Sequence, residues 1–246
     1  MEAGAGDQTL VFLPGTLGTV NIFHKQVSAF SPTCRVIVLG YPGVSDMSLM
    51  TGSFFGVLEQ LKLNSAHFIG SSLGAYWLQI FTQQRADFLE SLILGNTFCN
   101  SHRLRFIKIF QPDFLNDSSE DQVKKAWLQF IDRLATSELK NFLRNDVCDH
   151  QSSNELYGRS LAVAHGGLVG RSLLSDDKIA LLSCDDDPVV QEESIKDLKC
   201  MYANSHHFRF NTGGHYPHVL NTPAYNNVIQ RHCVVHLNGA TNTMSL

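Results

Sequence analysis

Short apolar runs alternate along this chain with segments of helical periodicity. Apolar side chains such as Phe54, Leu58 and Leu61 recur every three or four positions, which predicts helices. The intervening runs are short and continuously apolar, as in strands buried on both faces of a parallel sheet. Strands that alternate with helices predict an α/β fold with a mostly parallel, doubly wound sheet. The six strand-like runs are 10–13, 35–39, 67–69, 91–94, 179–183 and 207–210.

One stretch, residues 97–177, interrupts this alternation because it contains no strand-like run. Ser119–Gln122 has the sequence of a capping box, in which the first and fourth side chains bond to backbone N–H groups at a helix start. Apolar residues follow at helical spacing, and Thr136 or Ser137 would begin a shorter second helix. We expect a single domain over 1–246 in which this stretch is a helical cap inserted over one edge of the sheet. A bundle that covers one sheet face is the alternative.

The third strand-like run leads directly into a Gly-x-Ser-x-Gly pattern, Gly70 to Gly74, and a helical pattern follows. This is the layout of a nucleophile elbow, a sharp turn that presents a serine between a strand and a helix. Glycine is required at both ends because a Cβ there would collide with neighbouring backbone. Ser72 would project its hydroxyl at the carboxyl end of the strand. An oxyanion formed there would face the N-terminus of the helix, where free N–H groups favour negative charge.

A serine nucleophile needs a base, and the base needs a carboxylate that orients it. In a chain with this elbow the acid and then the histidine are expected after the serine. The fifth strand-like run is followed by three aspartates, and the loops after parallel strands meet at one sheet edge. Asp187 is the predicted acid because it directly precedes the Pro-Val-Val that turns away from the strand end, and Asp186 is the alternative.

His215 is the predicted base among the eleven histidines of the chain. Two glycines before it permit a tight loop after the sixth strand-like run, and Pro217 stiffens the segment that follows. His218 is the alternative base. The spacing of the two histidines could suggest a metal pair, but no acidic or cysteine partner lies at ligand spacing, so we predict no metal and no cofactor.

Two backbone donors would complete this site as an oxyanion hole. One is the N–H of Leu73, directly after the nucleophile, and the other comes from the loop after the first strand-like run, where we expect Thr16. Together these groups predict acyl transfer through an acyl-enzyme, with a small carboxylic ester or thioester as the substrate.

The composition indicates which class of protein this is. The 246 residues are 43% hydrophobic and 17% charged, which is typical of a globular domain with a sizeable core. A formal charge of −4 gives no basic surface for nucleic acid. No apolar run approaches the roughly 20 residues that cross a bilayer, and the acidic start does not resemble a signal peptide. The six cysteines are scattered without a Cys-x-x-Cys pair, so neither a zinc site nor a disulfide framework is predicted. We expect a cytoplasmic protein.

These motifs together make the chain resemble the α/β-hydrolase superfamily from Leu10 to about His236. Within it, the elbow and the segments 92–98 and 212–218 are similar to the maspardin family. That resemblance implies a cytosolic protein, partly associated with endosomal membranes, that acts as a binding partner for another protein rather than as an enzyme. The motifs that carry the superfamily resemblance are 13–16, 41–45, 70–74, 186–188 and 213–217.

The chain also departs from these families in three places. The superfamily usually has one or two strands before the first one here, so we expect about six strands with the N-terminal ones missing. The usual His-Gly of the oxyanion loop is Pro14-Gly15 in this chain. Maspardins tend to lack the catalytic histidine, whereas this chain has His215. Two functions therefore stay open, a serine hydrolase and a non-catalytic binding protein.

Overall fold

A seven-stranded sheet lies at the centre of the computed structural model, which describes residues 1–41, 45–134 and 137–234. The sheet order is β1-β3-β2-β4-β5-β6-β7, and each neighbouring pair is parallel except β1 with β3. Every residue of β2, β4 and β6 is buried, as expected for strands covered on both faces. The strands are β1 (Glu2–Ala3), β2 (Thr9–Leu13), β3 (Arg35–Val38), β4 (Ala66–Ser71), β5 (Leu89–Gly95), β6 (Ile179–Cys184) and β7 (His206–Phe210).

All six predicted strands are present, and the doubly wound α/β architecture is confirmed. The structure adds β1, a two-residue strand that pairs antiparallel with β3 through Glu2–Ile37 and Ala3–Val36. Two residues are too few to show any periodicity, so the sequence pattern could not reveal this strand.

Helices cover both faces of the sheet. An aromatic cluster packs two of them against Phe68 of β4. The Phe54 ring centroid lies 4.7 Å from that of Phe81 and 6.1 Å from that of Phe68. No helix in the described part of the chain is long and apolar enough to cross a membrane. The helices are α1 (His24–Phe30), α2 (Met47–Gln60), α3 (Leu73–Phe81), α4 (Pro112–Asn116), α5 (Glu120–Asp132), α6 (Ser137–His150), α7 (Ser153–Gly166), α8 (Glu192–Met201), α9 (Pro217–Leu220) and α10 (Thr222–Ile229). Short 3₁₀ turns span Val20–Phe23, Ser101–Leu104, Lys108–Phe110 and Asp176–Lys178, and a π-helical turn spans Gln230–Val234.

The described residues between β5 and β6 form helices and turns without a further sheet strand. The predicted capping box is confirmed at the start of α5, where Ser119 Oγ accepts from the N–H of Gln122 and Gln122 Oε1 accepts from that of Ser119. The second predicted helix, α6, begins at Ser137 and has 14 residues, so it is not shorter than α5 with 13. Thr136 lies outside the described residues, as does Gly43 of the 41–45 motif.

Candidate active site

Ser72 lies between β4 and α3 in a conformation that few residues adopt. Its φ is +53° and its ψ is −116°, a strained region for a side chain with a Cβ. The backbone is held on both sides, because Ser72 N–H donates to Gly95 O at 2.9 Å and Thr97 Oγ1 donates to Ser72 O at 2.8 Å. Strain of this kind persists where the surrounding structure fixes it, and it occurs often at active sites.

Three glycines allow the chain to approach closely around this turn. A Cβ at Gly70 would lie 2.5 Å from the backbone of Ala75, and one at Gly74 would lie 2.5 Å from Leu13 O. A Cβ at Gly15 would lie 3.1 Å from the Cβ of Ser72, so the loop after β2 passes directly beside the serine. The tight packing that the sequence predicts around the Gly-x-Ser-x-Gly turn is therefore present.

Asp187 and His215 form a buried pair. His215 Nδ1 lies 2.9 Å from Asp187 Oδ2 and 3.1 Å from Oδ1, and the two side chains are 8% and 1% exposed. The Asp187 carboxylate also accepts from the N–H groups of Val189 and Val190 at 2.8 and 3.0 Å. Burial by itself would raise the pKa of Asp187. The electrostatic interaction with His215 and the hydrogen bonds outweigh burial and hold that pKa below its ordinary value, so the carboxylate is ionised at neutral pH.

The two alternative residues have other contacts. Asp186 accepts from the N–H groups of Gly213 and Gly214 at 3.2 and 2.7 Å, so it holds the turn before His215 and does not bond its ring. His218 is buried without a bond from its ring to any described carboxylate. Across the described residues, no three His, Cys, Asp or Glu side chains are placed to hold a metal ion.

Asn96 is a residue of this site that sequence reasoning did not assign to the chemistry. It follows β5 with a φ of +43°, and its Nδ2 donates to Asp187 Oδ2 at 2.9 Å and to Gly214 O at 3.0 Å. One buried amide therefore bridges the acid and the loop that carries His215. An asparagine at the end of a strand indicates a left-handed backbone conformation. It does not indicate which distant residues its side chain will bond.

Ser72 and His215 line the same cavity of about 20 Å³, which is room for about one water molecule. No hydrogen bond joins Ser72 Oγ to the His215 ring in the part of the chain that the structure describes. Such bonds are often long or poorly aligned without a ligand and tighten in the complex. The cavity is also lined by apolar residues between β5 and β6, which are Ile107, Phe110, Trp127 and Phe130.

The two expected oxyanion donors lie beside Ser72. Leu73 is the first residue of α3, so its N–H precedes the first hydrogen bond of that helix. Thr16 lines the cavity and lies in a turn closed by a 3.1 Å bond from Gly18 N to Gly15 O. Within the described ranges, neither N–H has an acceptor. Both groups are thus available to an anion at the serine.

Similarity to solved structures settles the fold. The chain matches the structure of MenH from S. aureus with a TM-score of 0.75 at 17% identity, covering 97% of this chain and 98% of that chain. It matches an esterase from Exiguobacterium antarcticum with a TM-score of 0.74 at 16% identity, covering 95% and 94%. The chain has the α/β-hydrolase fold. The fold predicted from the strand order and the elbow is therefore confirmed.

Sequence comparison finds relatives of higher identity. Maspardin from Danio rerio is 25% identical over 240 residues, which cover 91% of this chain and 73% of that protein. A 2-hydroxy-6-oxononadienedioate/2-hydroxy-6-oxononatrienedioate hydrolase from Burkholderia vietnamiensis is 33% identical over 108 residues, or 38% of this chain and 37% of that protein. No model of a known protein family matches. The predicted resemblance of this α/β-hydrolase-fold chain to maspardins is confirmed.

Proposed function

We propose that this maspardin-like α/β-hydrolase is a serine hydrolase that cleaves carboxylic esters or thioesters through an acyl-enzyme. The observation that carries this proposal is the strained Ser72 in one cavity with the buried Asp187–His215 pair. An ionised carboxylate on Nδ1 fixes the ring tautomer that leaves Nε2 free to accept a proton, and it stabilises the imidazolium that forms. Relatives and structural neighbours named as hydrolases and an esterase support the same chemistry.

The steps follow from these positions. Ser72 Oγ attacks the acyl carbonyl while His215 Nε2 takes its proton, and the N–H groups of Leu73 and Thr16 bind the tetrahedral oxyanion. Collapse breaks the bond to the leaving alcohol or thiol, which takes the proton from His215. Water then gives a proton to His215 and attacks the acyl-enzyme, and the free acid leaves as Ser72 regains its hydrogen. Apart from the substrate and this water, these steps use only groups of this chain.

We further propose that residues 97–177 act as a cap within a single domain. Side chains from this stretch form one wall of the cavity that contains Ser72. Because the cavity is only about 20 Å³, an acyl group of several carbons enters only if these side chains move apart. The cap would therefore control both the size of the acyl group and the access of water.

The alternative function is a non-catalytic binding protein of the maspardin type, cytoplasmic and peripheral at endosomal membranes, as the resemblance implies. Two observations favour it. Ser72 and His215 share no hydrogen bond among the described residues, and the cavity is small. In this case the cap surface would bind a protein partner, and Ser72 would be needed for neither binding nor folding.

A fluorophosphonate probe separates the two functions because it reports an activated serine without knowledge of the substrate. We expect one labelled site, Ser72, with no labelling in Ser72→Ala and labelling slower by roughly 10³-fold or more in His215→Gln. Ser53→Ala, the same change at an exposed serine of α2, should label like the wild type. A folded wild type that does not react would refute the hydrolase. Retention of every cellular partner by Ser72→Ala would then support the binding protein.

A further inference from the structure

His218 has two unpaired ring nitrogens although it is deeply buried. It lies in α9, its side chain is 1% exposed, and neither nitrogen has a hydrogen-bond partner among the described residues. The ring is fixed by its neighbours, with its centroid 4.8 Å from that of Phe23 and 5.6 Å from that of Tyr225. The large majority of buried polar side-chain atoms in proteins have partners, so an unpaired buried imidazole calls for an explanation.

The ring is uncharged at neutral pH. Burial lowers the pKa of His218 to about 3, with smaller contributions from the charges of His215 and His24. A neutral imidazole presents one N–H donor and one acceptor nitrogen. It can therefore pair with an uncharged oxygen of a ligand, and such a pair removes the penalty of leaving these atoms unmatched.

His218 lines the same cavity as Ser72 and His215. The indole N–H of Trp127 at this cavity is already engaged, since it donates to Ser160 Oγ at 3.0 Å. Many of the other lining side chains are apolar and offer no hydrogen bonds: Leu17, Ile22, Ile107, Phe110, Phe130 and Val189. An acyl group bound to Ser72 would thus lie in apolar surroundings. The uncharged imidazole is part of the wall, and its two enclosed nitrogens would be reached once the side chains move apart to admit the acyl group.

We propose that His218 selects acyl groups that carry a keto or hydroxyl oxygen on an otherwise apolar chain. This inference rests on the proposed hydrolase function and names the substrate class of the same site. A plain alkyl chain would leave the ring nitrogens unpaired. A carboxylate or ammonium on the chain would bring a charge into an enclosed apolar site, which is far more costly than burying a neutral oxygen.

Binding to Ser72→Ala tests this choice without turnover. Methyl heptanoate is compared by calorimetry with its 4-oxo, 5-oxo and 6-oxo forms, which differ only in the presence and position of one oxygen. We expect one of the oxo esters to bind about tenfold more tightly than the plain ester, the size expected when an unpaired buried group gains a partner. In a protein without His218, the plain ester should bind as tightly as the oxo esters or more tightly. The reason is that removing the added oxygen from water costs free energy.

His218→Phe in the Ser72→Ala protein is the decisive variant. Phenylalanine keeps a ring against Phe23 and removes both nitrogens, so the preference ratio should fall to about 1. His218→Leu serves the same purpose if the phenylalanine does not fit. His24→Phe makes the same change at an exposed ring and should keep the preference. Equal binding of the four esters, or a preference that survives the loss of His218, would refute the proposal.

A kinetic comparison in the wild type tests this substrate preference separately from the proposed hydrolase function. The ratio of kcat/KM for the matching p-nitrophenyl oxoheptanoate and p-nitrophenyl heptanoate should show the same preference and lose it in His218→Phe. A wild type that fails to label at Ser72 would refute the hydrolase, while the binding comparison in Ser72→Ala still decides the role of His218. Labelling without any preference would leave the hydrolase standing and refute this substrate class.

Discussion

At the scale of the residue, one amide joins the two loops that carry Asp187 and His215. Asn96 Nδ2 donates to Asp187 Oδ2 and to Gly214 O, and its backbone N–H donates to Leu182 O at 2.8 Å. A hydrogen bond to a charged group contributes more than a neutral one, about 1.5–3 kcal/mol. The left-handed backbone at this position is one that asparagine tolerates better than most residues.

Replacing Asn96 should therefore weaken both stability and reactivity. Asn96→Gly accepts the positive φ but loses the amide, so we expect a loss of about 1.5–3 kcal/mol in the free energy of unfolding and slower labelling of Ser72. Asn96→Ala adds backbone strain and should be less stable than the glycine variant. Urea denaturation and labelling rates measure both effects. If Asn96→Gly matched the wild type in both, the bridge would have no role in holding the pair.

The sequence could predict the candidate catalytic residues better than the residues that hold them in place. Ser72 is marked by its flanking glycines and by the strand and helix around it. The partners of Asn96 lie 91 and 118 residues away, and no local pattern encodes a bond at that separation. Asp186 and Asp187 both follow β6 within three residues, so their positions in the sequence barely distinguish them. In the fold, the carboxylate of Asp187 contacts the His215 ring, whereas that of Asp186 accepts from Gly214 N–H.

At the scale of the element, a buried polar cluster connects α6 and α7 to the loop after β2, which carries Thr16. Asp146 of α6 accepts from Thr19 Oγ1 at 2.7 Å and from Thr19 N at 3.2 Å. Gln151 Nε2 donates to Leu17 O at 2.7 Å and to Asp146 Oδ2 at 3.1 Å, while Arg159 of α7 donates to Gln151 Oε1. The helices and the loop with the expected oxyanion donor are thereby fixed to each other.

Thr19 offers a matched pair of variants for this connection. Thr19→Val removes the hydroxyl at nearly constant shape. It loses a bond to the Asp146 carboxylate and a bond from the N–H of Asn21, so we expect a cost of at least about 1.5–3 kcal/mol. Labelling of Ser72 should slow as the loop loses its fixed position. Thr19→Ser keeps the hydroxyl and should stay near the wild type in both measurements. A valine variant that is unstable but labels at the normal rate would show that the cluster stabilises the fold without positioning the loop.

Helices were predictable where a local signal marks their start. The capping box at Ser119 revealed α5, and the same signature, Ser152 with Glu155, begins α7 in the structure. That second box is readable in the sequence and could have identified α7. The cluster around Asp146 and Arg159 could not have been predicted, because polar residues on a helix are normally expected to face solvent.

At the scale of the whole molecule, buried and half-buried histidines make the fold sensitive to acid. Burial lowers the pKa of His67 and His207 to about 4 and that of His218 to about 3. In the unfolded chain these rings bind protons below about pH 6.5, whereas in the fold they stay neutral. The unfolded state therefore binds more protons, and the stability present above pH 6.5 is lost as the pH falls. The lowered pKa of Asp187 acts in the same direction, but only at more acidic pH.

His218→Phe isolates one part of this sensitivity. Between about pH 5.5 and 4, each histidine that is protonated only in the unfolded state contributes a slope of about 1.4 kcal/mol per pH unit to the free energy of unfolding. His218 meets this condition because its pKa in the fold is about 3. Urea denaturation across this range should therefore give a slope for His218→Phe that is smaller than that of the wild type by about 1.4 kcal/mol per unit. At pH 7.5 the two proteins should differ only by packing and by the removal of two unpaired nitrogens. Parallel slopes would mean that the His218 ring takes up a proton in the folded state. That result would also contradict the role of His218 as a neutral hydrogen-bonding group in the cavity.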